Sequence, residues 1–246
     1  MKLGIQTGSI QTDLGVDGAY HLIRETGFDA VDANIDELFE PADIRKRLRS
    51  KVFGDMDTLL ETVRPWKDAA LKYGLDNYQT HAPFPSVPES MKPVVVTEYE
   101  DYMVGILQNC IRATDYLGSR NVVIHPFYYG YPDDMSIEDE LEMNIRRFSQ
   151  MIPTAKEYGV RICIENLFYH CAKHKIYPCS TGTMDNAVVL LDELNRIAGQ
   201  DDFRFVNGSA MLPKLPGLSV EVNKELVIEE NKAGHTQGIP CGVRCA

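Results

Sequence analysis

Four segments follow one grammar and constrain the fold more than any other feature of the chain: TGFDAVDAN (26–34), YGLDNYQTH (73–81), LGSRNVVIH (117–125) and YGVRICIEN (158–166). Each opens on a glycine that closes a helical pattern, where a left-handed C-cap is needed and glycine adopts it without steric cost. Each then runs into a short strand that ends on a polar residue at a fixed distance. Asn34, His81 and His125 stand seven residues after Gly27, Gly74 and Gly118, while Glu165 and Asn166 stand six and seven after Gly159. Four strands therefore carry their polar ends to the same height.

Helix-sized segments separate them: 16–26, 56–73, 96–117 and 137–158, with a further one at 184–197. In the third, Tyr99, Met103, Ile106, Leu107, Cys110, Ile111, Thr114 and Leu117 recur at helical spacing and form a stripe for burial against a sheet. Pro65 and Pro153 are expected to kink the helices that hold them. The glycine-to-glycine steps are 47, 44 and 41 residues, with 40 more to Gly199. Strand, helix and strand at this rhythm require parallel pairing through right-handed crossovers. Counting MKLGIQTG (1–8) as the opening strand and 203–206 as the last gives six strands. That count favours an α/β fold of the (β/α) barrel class, incomplete after strand six, over a doubly wound sheet, and the absence of a glycine-rich dinucleotide fingerprint after the first strand removes the main support for nucleotide binding.

The 246 residues, 44% of them hydrophobic, suffice for one large α/β domain. No window reaches the roughly 18 uninterrupted apolar residues of a membrane span, and Met1 leads into LGIQTG without a signal-type apolar core. A soluble, cytoplasmic protein with no membrane partner is expected. Lys and Arg number 25 against 36 Asp and Glu, a formal charge of −11, which weighs against a chain whose affinity comes from neutralising nucleic-acid phosphates. The basic run IRKRLRSK (44–51) reads as a solvated helix face. Cys110 and Cys163 read as small core residues, and Cys241 and Cys245 lack the second pair that a structural zinc site needs.

In a parallel barrel the carboxyl ends of all strands share one mouth, so Asn34, His81, His125 and Glu165 are expected to face one cavity. Two imidazoles and a carboxylate gathered there form a ligand set for a divalent transition metal such as Zn, Mn or Co. A lone histidine at a strand end is ordinarily a satisfied rim residue. Two of them with a Glu at equivalent positions of successive units point to a shared site. His21, in a helical pattern, reads as structural or exposed; His170 and His174 read as part of an active-site loop after Glu165.

The fragments MKLGIQTG, GFDAVDANI, THAPFP (80–85), NVVIHP (121–126) and GVRICIENL (159–167) together resemble the xylose isomerase-like TIM barrels, over roughly residues 1–200. That group holds sugar phosphate isomerases and epimerases along with AP endonucleases. The resemblance implies a divalent-metal-dependent sugar or sugar-phosphate isomerase or epimerase, using Mn, Co, Zn or Mg, with a small sugar or sugar phosphate as its partner. Glu165 matches the residue that binds metal and also works as acid/base, taking the proton α to a carbonyl on the way to an enediolate. His81 and His125 match positions that ligate metal in the endonuclease branch and contact substrate in the sugar branch. Asn34 and Asn166 are expected to contact substrate, and Phe84 with the loop HPFYYGY (125–131) to form an aromatic wall against a sugar ring.

The pattern then stops. The resemblance leads one to expect an Asp on the sixth strand and a His and a Glu on the seventh and eighth. DDFRFVNGSAML (201–212) carries no Asp or His after its strand, and only 40 residues follow Val206. The expected organisation is a barrel portion, 1–206, and a divergent tail, 207–246, produced by truncation or a shift of reading frame near residue 204. A site short of those ligands would hold metal weakly or lose it, and open strand edges would invite homo-oligomerisation. Two other readings stand beside the isomerase: an AP endonuclease-like metal-dependent phosphodiesterase, and a catalytically silent barrel fragment.

Overall fold

The computed structural model describes residues 3–39, 50–84, 86–87, 93–129, 136–165, 169–172, 175–178, 180–199 and 203–206. Asn166, His174, the basic run up to residue 49, and the tail 207–246 with Cys241 and Cys245 lie outside them.

The described residues form ten strands and six α-helices. They are β1 (Gly4–Gln6), α1 (Gly8–Glu25), β2 (Ala30–Ala33), α2 (Met56–Tyr73), β3 (Asp76–His81), β4 (Ser86–Val87), α3 (Pro93–Tyr116), β5 (Asn121–Ile124) and β6 (Tyr128–Tyr129). There follow α4 (Ile137–Ser149), α5 (Ile152–Tyr158), β7 (Arg161–Glu165), β8 (Tyr169–Ala172), β9 (Lys175–Pro178), α6 (Met184–Ala198) and β10 (Phe203–Val206). The main sheet has the order β1-β2-β3-β5-β7-β10 and every pair in it is parallel. This order runs one way with no reversal, as in a barrel wall and unlike a doubly wound sheet. Six strands in the main sheet match the sequence count. Among the described residues β1 and β10 are its two edges.

The glycine grammar holds. Gly27, Gly74, Gly118, Gly159 and Gly199 all have φ between 61° and 93°. Nothing lies near a Cβ built on Gly74, so its conformation alone selects glycine there.

Burial explains the sheet's composition. Val122, Val123 and Ile124 of β5 and Ile162, Cys163 and Ile164 of β7 are all buried, because helices cover one face and the barrel interior the other. Leu59, Val63, Trp66 and Ala70 form the buried stripe of α2; Met103, Ile106, Leu107, Cys110 and Ile111 form that of α3. A buried ion pair joins α3 to α4, with the Arg147 guanidinium donating to Glu100 and to Asp101.

Three local expectations are corrected. The first helix begins at Gly8 rather than 16, but Gly15 (φ 67°, ψ 172°) breaks it. The polar stretch before that break has no apolar stripe to announce it. The single helix expected over 137–158 is two, separated at Gln150–Met151 by tight bonds from Gln150 N to Arg147 O and Met151 N to Phe148 O. Pro153, which has no N–H to give, sits in the first turn of α5. The segment after Glu165, read as a loop, contains an antiparallel hairpin of β8 and β9.

Candidate metal centre

Three adjacent strands build the site. His81 is the last residue of β3, His125 follows β5, and Glu165 is the last residue of β7. Parallel registry sets Thr80 and His81 beside Val122 and Val123, and Val122 to Ile124 beside Ile162 to Ile164. The three polar ends therefore arrive at one level.

They meet closely. His81 Nε2 lies 2.8 Å from His125 Nε2, and Glu165 Oε2 lies 3.3 Å from the first and 3.2 Å from the second. Three lone-pair atoms at such separations repel one another unless a proton or a cation shares the space between them. Donors about 2.0–2.1 Å from one tetrahedral ion stand about 3.3 Å apart, so one ion can reach all three atoms with little rearrangement. Glu165 Oε2 is buried and makes no hydrogen bond of good geometry among the described residues, which leaves it ready for a cation. His81, His125 and Glu165 are the one group of three such residues among those described whose ligand atoms lie close enough together to hold a metal ion.

The electrostatics follow from the crowding. Burial opposes protonation of His81, but the Asp32 and Glu165 carboxylates outweigh it and raise the imidazole to about 10. Burial brings His125 down to about 4, with the His81 cation adding to the effect and Glu165 resisting it. Burial alone would raise Glu165, yet the two imidazoles hold its carboxyl below the usual range. At neutral pH, then, a protonated His81 donates to a neutral His125 beside an ionised Glu165.

Asp32 was not singled out from the sequence. It lies on β2, 92% buried, its Oδ2 3.3 Å from His81 Nδ1 and accepting a 2.8 Å bond from Gln79 Nε2. A register shift places it there: Val31 pairs with Asn77 but Asp32 pairs with Gln79, leaving Tyr78 as the extra residue. Gln79 and His81, two apart on one face of β3, both reach this carboxylate. A carboxylate gripping the outer nitrogen of a metal-facing histidine fixes its tautomer and its aim. The one sequence signal was an acidic residue amid the apolar run AVDA.

The other expected site residues differ in their surroundings. The Phe84 ring lies 4.4 Å from the His125 ring, beside the cluster. Asn34 is buried at the end of β2 and its amide is engaged at both ends. Its Oδ1 accepts from Gly8 N (3.0 Å) and its Nδ2 donates to Asp36 Oδ1 (2.9 Å), while its N–H donates to Thr7 Oγ1 (3.1 Å). It thus pins the start of α1 beside the mouth. Phe127, expected in the aromatic wall, is wholly buried and packs edge-on against Phe148, 6.3 Å between centroids. The apolar core under α4 claims it. His21 is exposed and lies 3.4 Å from Glu25.

The family described as xylose isomerase-like TIM barrel matches residues 20–200, and the chain belongs to that family. A search of curated proteins finds no match. Among solved structures, the chain is similar to D-allulose 3-epimerase from Methylomonas sp. in complex with D-allulose. The identity is 11% and the TM-score 0.55, over 84% of this chain and 62% of that one. It is similar to 3-keto-D-glucoside 4-epimerase, YcjR, from E. coli at 14% identity and TM-score 0.55, over 84% and 68% of the two chains. A third, the IolI protein with a bound zinc atom, is 13% identical with TM-score 0.50, over 82% and 61%. At these identities the likeness is one of fold. The chain spans about 62% of the length of the D-allulose 3-epimerase. Among the described residues no helix is long and apolar enough to cross a membrane.

Proposed function

We propose that the chain is a divalent-metal-dependent sugar or sugar-phosphate isomerase or epimerase, with His81, His125 and Glu165 holding the ion and Glu165 moving the proton. The observation that carries this reading is the meeting of three donor atoms within 3.3 Å at the carboxyl ends of three neighbouring parallel strands. A divalent ion bound there supplies Lewis-acid polarisation of a substrate carbonyl oxygen. The donor set of two imidazoles and a carboxylate suits Zn, Mn or Co.

The protein's own groups supply the rest. Glu165, held ionised by the adjoining imidazoles, is a base able to accept a proton α to a carbonyl and return it. Asp32 holds the His81 ring by its outer nitrogen, so Nε2 keeps facing the centre. Phe84, beside His125, offers an apolar surface to the C–H face of a sugar ring. The relatives of known structure that act on sugars support the substrate class.

Incubation of the metal-loaded protein with ketoses and ketose phosphates in D2O tests the reading. Solvent deuterium should enter the carbon α to the carbonyl, with the epimer or isomer appearing, and the Glu165→Gln variant should be silent. Absence of deuterium exchange with every metal and sugar tried would refute it. The phosphodiesterase reading draws on the same donor set of two histidines and a glutamate. The formal charge of −11 weighs against a polyanionic partner, and cleavage of abasic duplex DNA would favour it instead.

A further inference from the structure

We propose that Asn144 is a positioning residue for His125, acting through the backbone of Phe127; this rests on the reading of His81, His125 and Glu165 as metal ligands. The two histidines are held differently. His81 is gripped from behind by Asp32, whereas His125 Nδ1 is buried and makes no hydrogen bond among the described residues. Contact with the Phe84 ring limits the tilt of the His125 imidazole but does not set how far it reaches. The aim of His125 therefore depends on where the backbone goes as it leaves β5.

One buried side chain grips that path by the backbone. Asn144, fully buried on α4, accepts from Phe127 N–H at 2.7 Å through Oδ1 and donates to Phe127 O at 2.7 Å through Nδ2. A single amide thus holds both polar atoms of the residue two beyond His125, as a neighbouring strand would. The same Nδ2 group lies 2.9 Å from Glu140 O and 3.3 Å from Ser180 Oγ. One turn earlier on α4, Glu140 Oε1 accepts from Ser180 N at 2.7 Å. Ser180 lies beyond the hairpin that follows Glu165 and leads into α6. A single face of α4 therefore braces both the segment leaving His125 and the segment returning from Glu165.

If these bonds served only to satisfy buried polar atoms, their loss would lower stability and leave metal affinity alone. The test is a Co2+ titration of wild type, Asn144→Ser, Asn144→Asp, His125→Ala and the Asn144→Ser/His125→Ala double variant. Visible absorption and chelator competition read the binding, and circular dichroism reads the fold. The aspartate variant keeps the acceptor for Phe127 N–H and the side-chain volume, and serves if the serine variant does not fold. The expected result is cobalt binding about 10–100-fold weaker in the folded Asn144 variant, with a changed ligand-field spectrum. The effect should shrink to less than about twofold in the His125→Ala background, since Asn144 acts through that residue. Wild-type affinity and spectrum in a folded Asn144 variant would overturn the proposal, as would an undiminished effect in the His125→Ala background. Failure of both variants to fold would overturn it too, marking Asn144 as a core residue alone. Failure of the metal reading looks different: wild type would take up no cobalt, or would bind it equally well without His81 or Glu165, and the proposal would fall with it.

Discussion

Uptake of a divalent ion should expel a proton from His81. In the metal-free protein Nε2 of His81 points at His125 Nε2 and Glu165 Oε2, and its proton occupies the space between three lone-pair atoms. With the imidazole raised to about 10, that proton is in place at pH 7 and must leave before a cation can be coordinated. Three units between pH 7 and 10 correspond to about 4 kcal/mol, roughly three decades of apparent affinity. Apparent affinity should thus rise about tenfold per pH unit between about pH 6 and 8.5, with about one proton released per ion. Calorimetric titration with Zn2+ or Mn2+ at pH 7.5, in buffers of differing ionisation enthalpy, counts the protons directly. Asp32→Asn removes the larger of the two carboxylate influences on His81, so proton release should fall and the slope flatten. Flat affinity across this range, with no proton released by wild type, would refute the reasoning.

Further outcomes follow from the same geometry. If the proposed chemistry holds, Glu165→Gln should abolish any isomerase or epimerase turnover and leave the circular dichroism spectrum unchanged; unchanged turnover would remove Glu165 from the chemistry. Because the folded His81 is raised from 6.5 to about 10, its contribution to the stability of the metal-free protein is complete below pH 6.5. That contribution is lost as pH rises towards 10, so urea midpoints without metal should fall over that span and fall less in Asp32→Asn. Arg147→Met should cost about 3–5 kcal/mol by removing the guanidinium that pairs with the buried Glu100 carboxylate, and adding Glu100→Gln should recover part of the loss in urea titrations. Gly74→Ala, at φ 64° with open space around the added Cβ, should cost about 1–2 kcal/mol in the same assay. Gly54→Ala, whose Cβ would stand 2.6 Å from Ser50 O, should cost more.

Much of the fold was legible because it is written in backbone requirements. A glycine with positive φ stands at each of the five helix-to-strand junctions from Gly27 to Gly199, and the strand that follows each one is the next in the sheet, so spacing alone ordered the main sheet. The alignment of His81, His125 and Glu165 was legible for the same reason: in a parallel sheet a fixed distance from the cap is a fixed height. Asp32 was not, because its place depends on the register shift at Tyr78, a tertiary event that spacing from Gly27 does not record. Asn144 lies in the helix-sized segment 137–158, where spacing marks no polar residue as inward-facing. Only packing shows that one of them faces inward to hold Phe127. Phe127 was misread because an aromatic next to a strand end can turn towards the mouth or towards the core, and local sequence is the same in both cases. The early turns of α1 lacked an apolar stripe, and their start is set by Asn34 reaching across to Gly8.

Elemental analysis of the full chain, reconstituted with Mn, Co or Zn at pH 8 and freed of excess ion, tests most directly whether these three side chains form a metal centre. The expected result is close to one divalent ion per chain in wild type and a loss of at least tenfold in affinity in His81→Ala, His125→Ala and Glu165→Gln. A wild-type chain that retains no ion, or variants that retain it as well as wild type does, would contradict it.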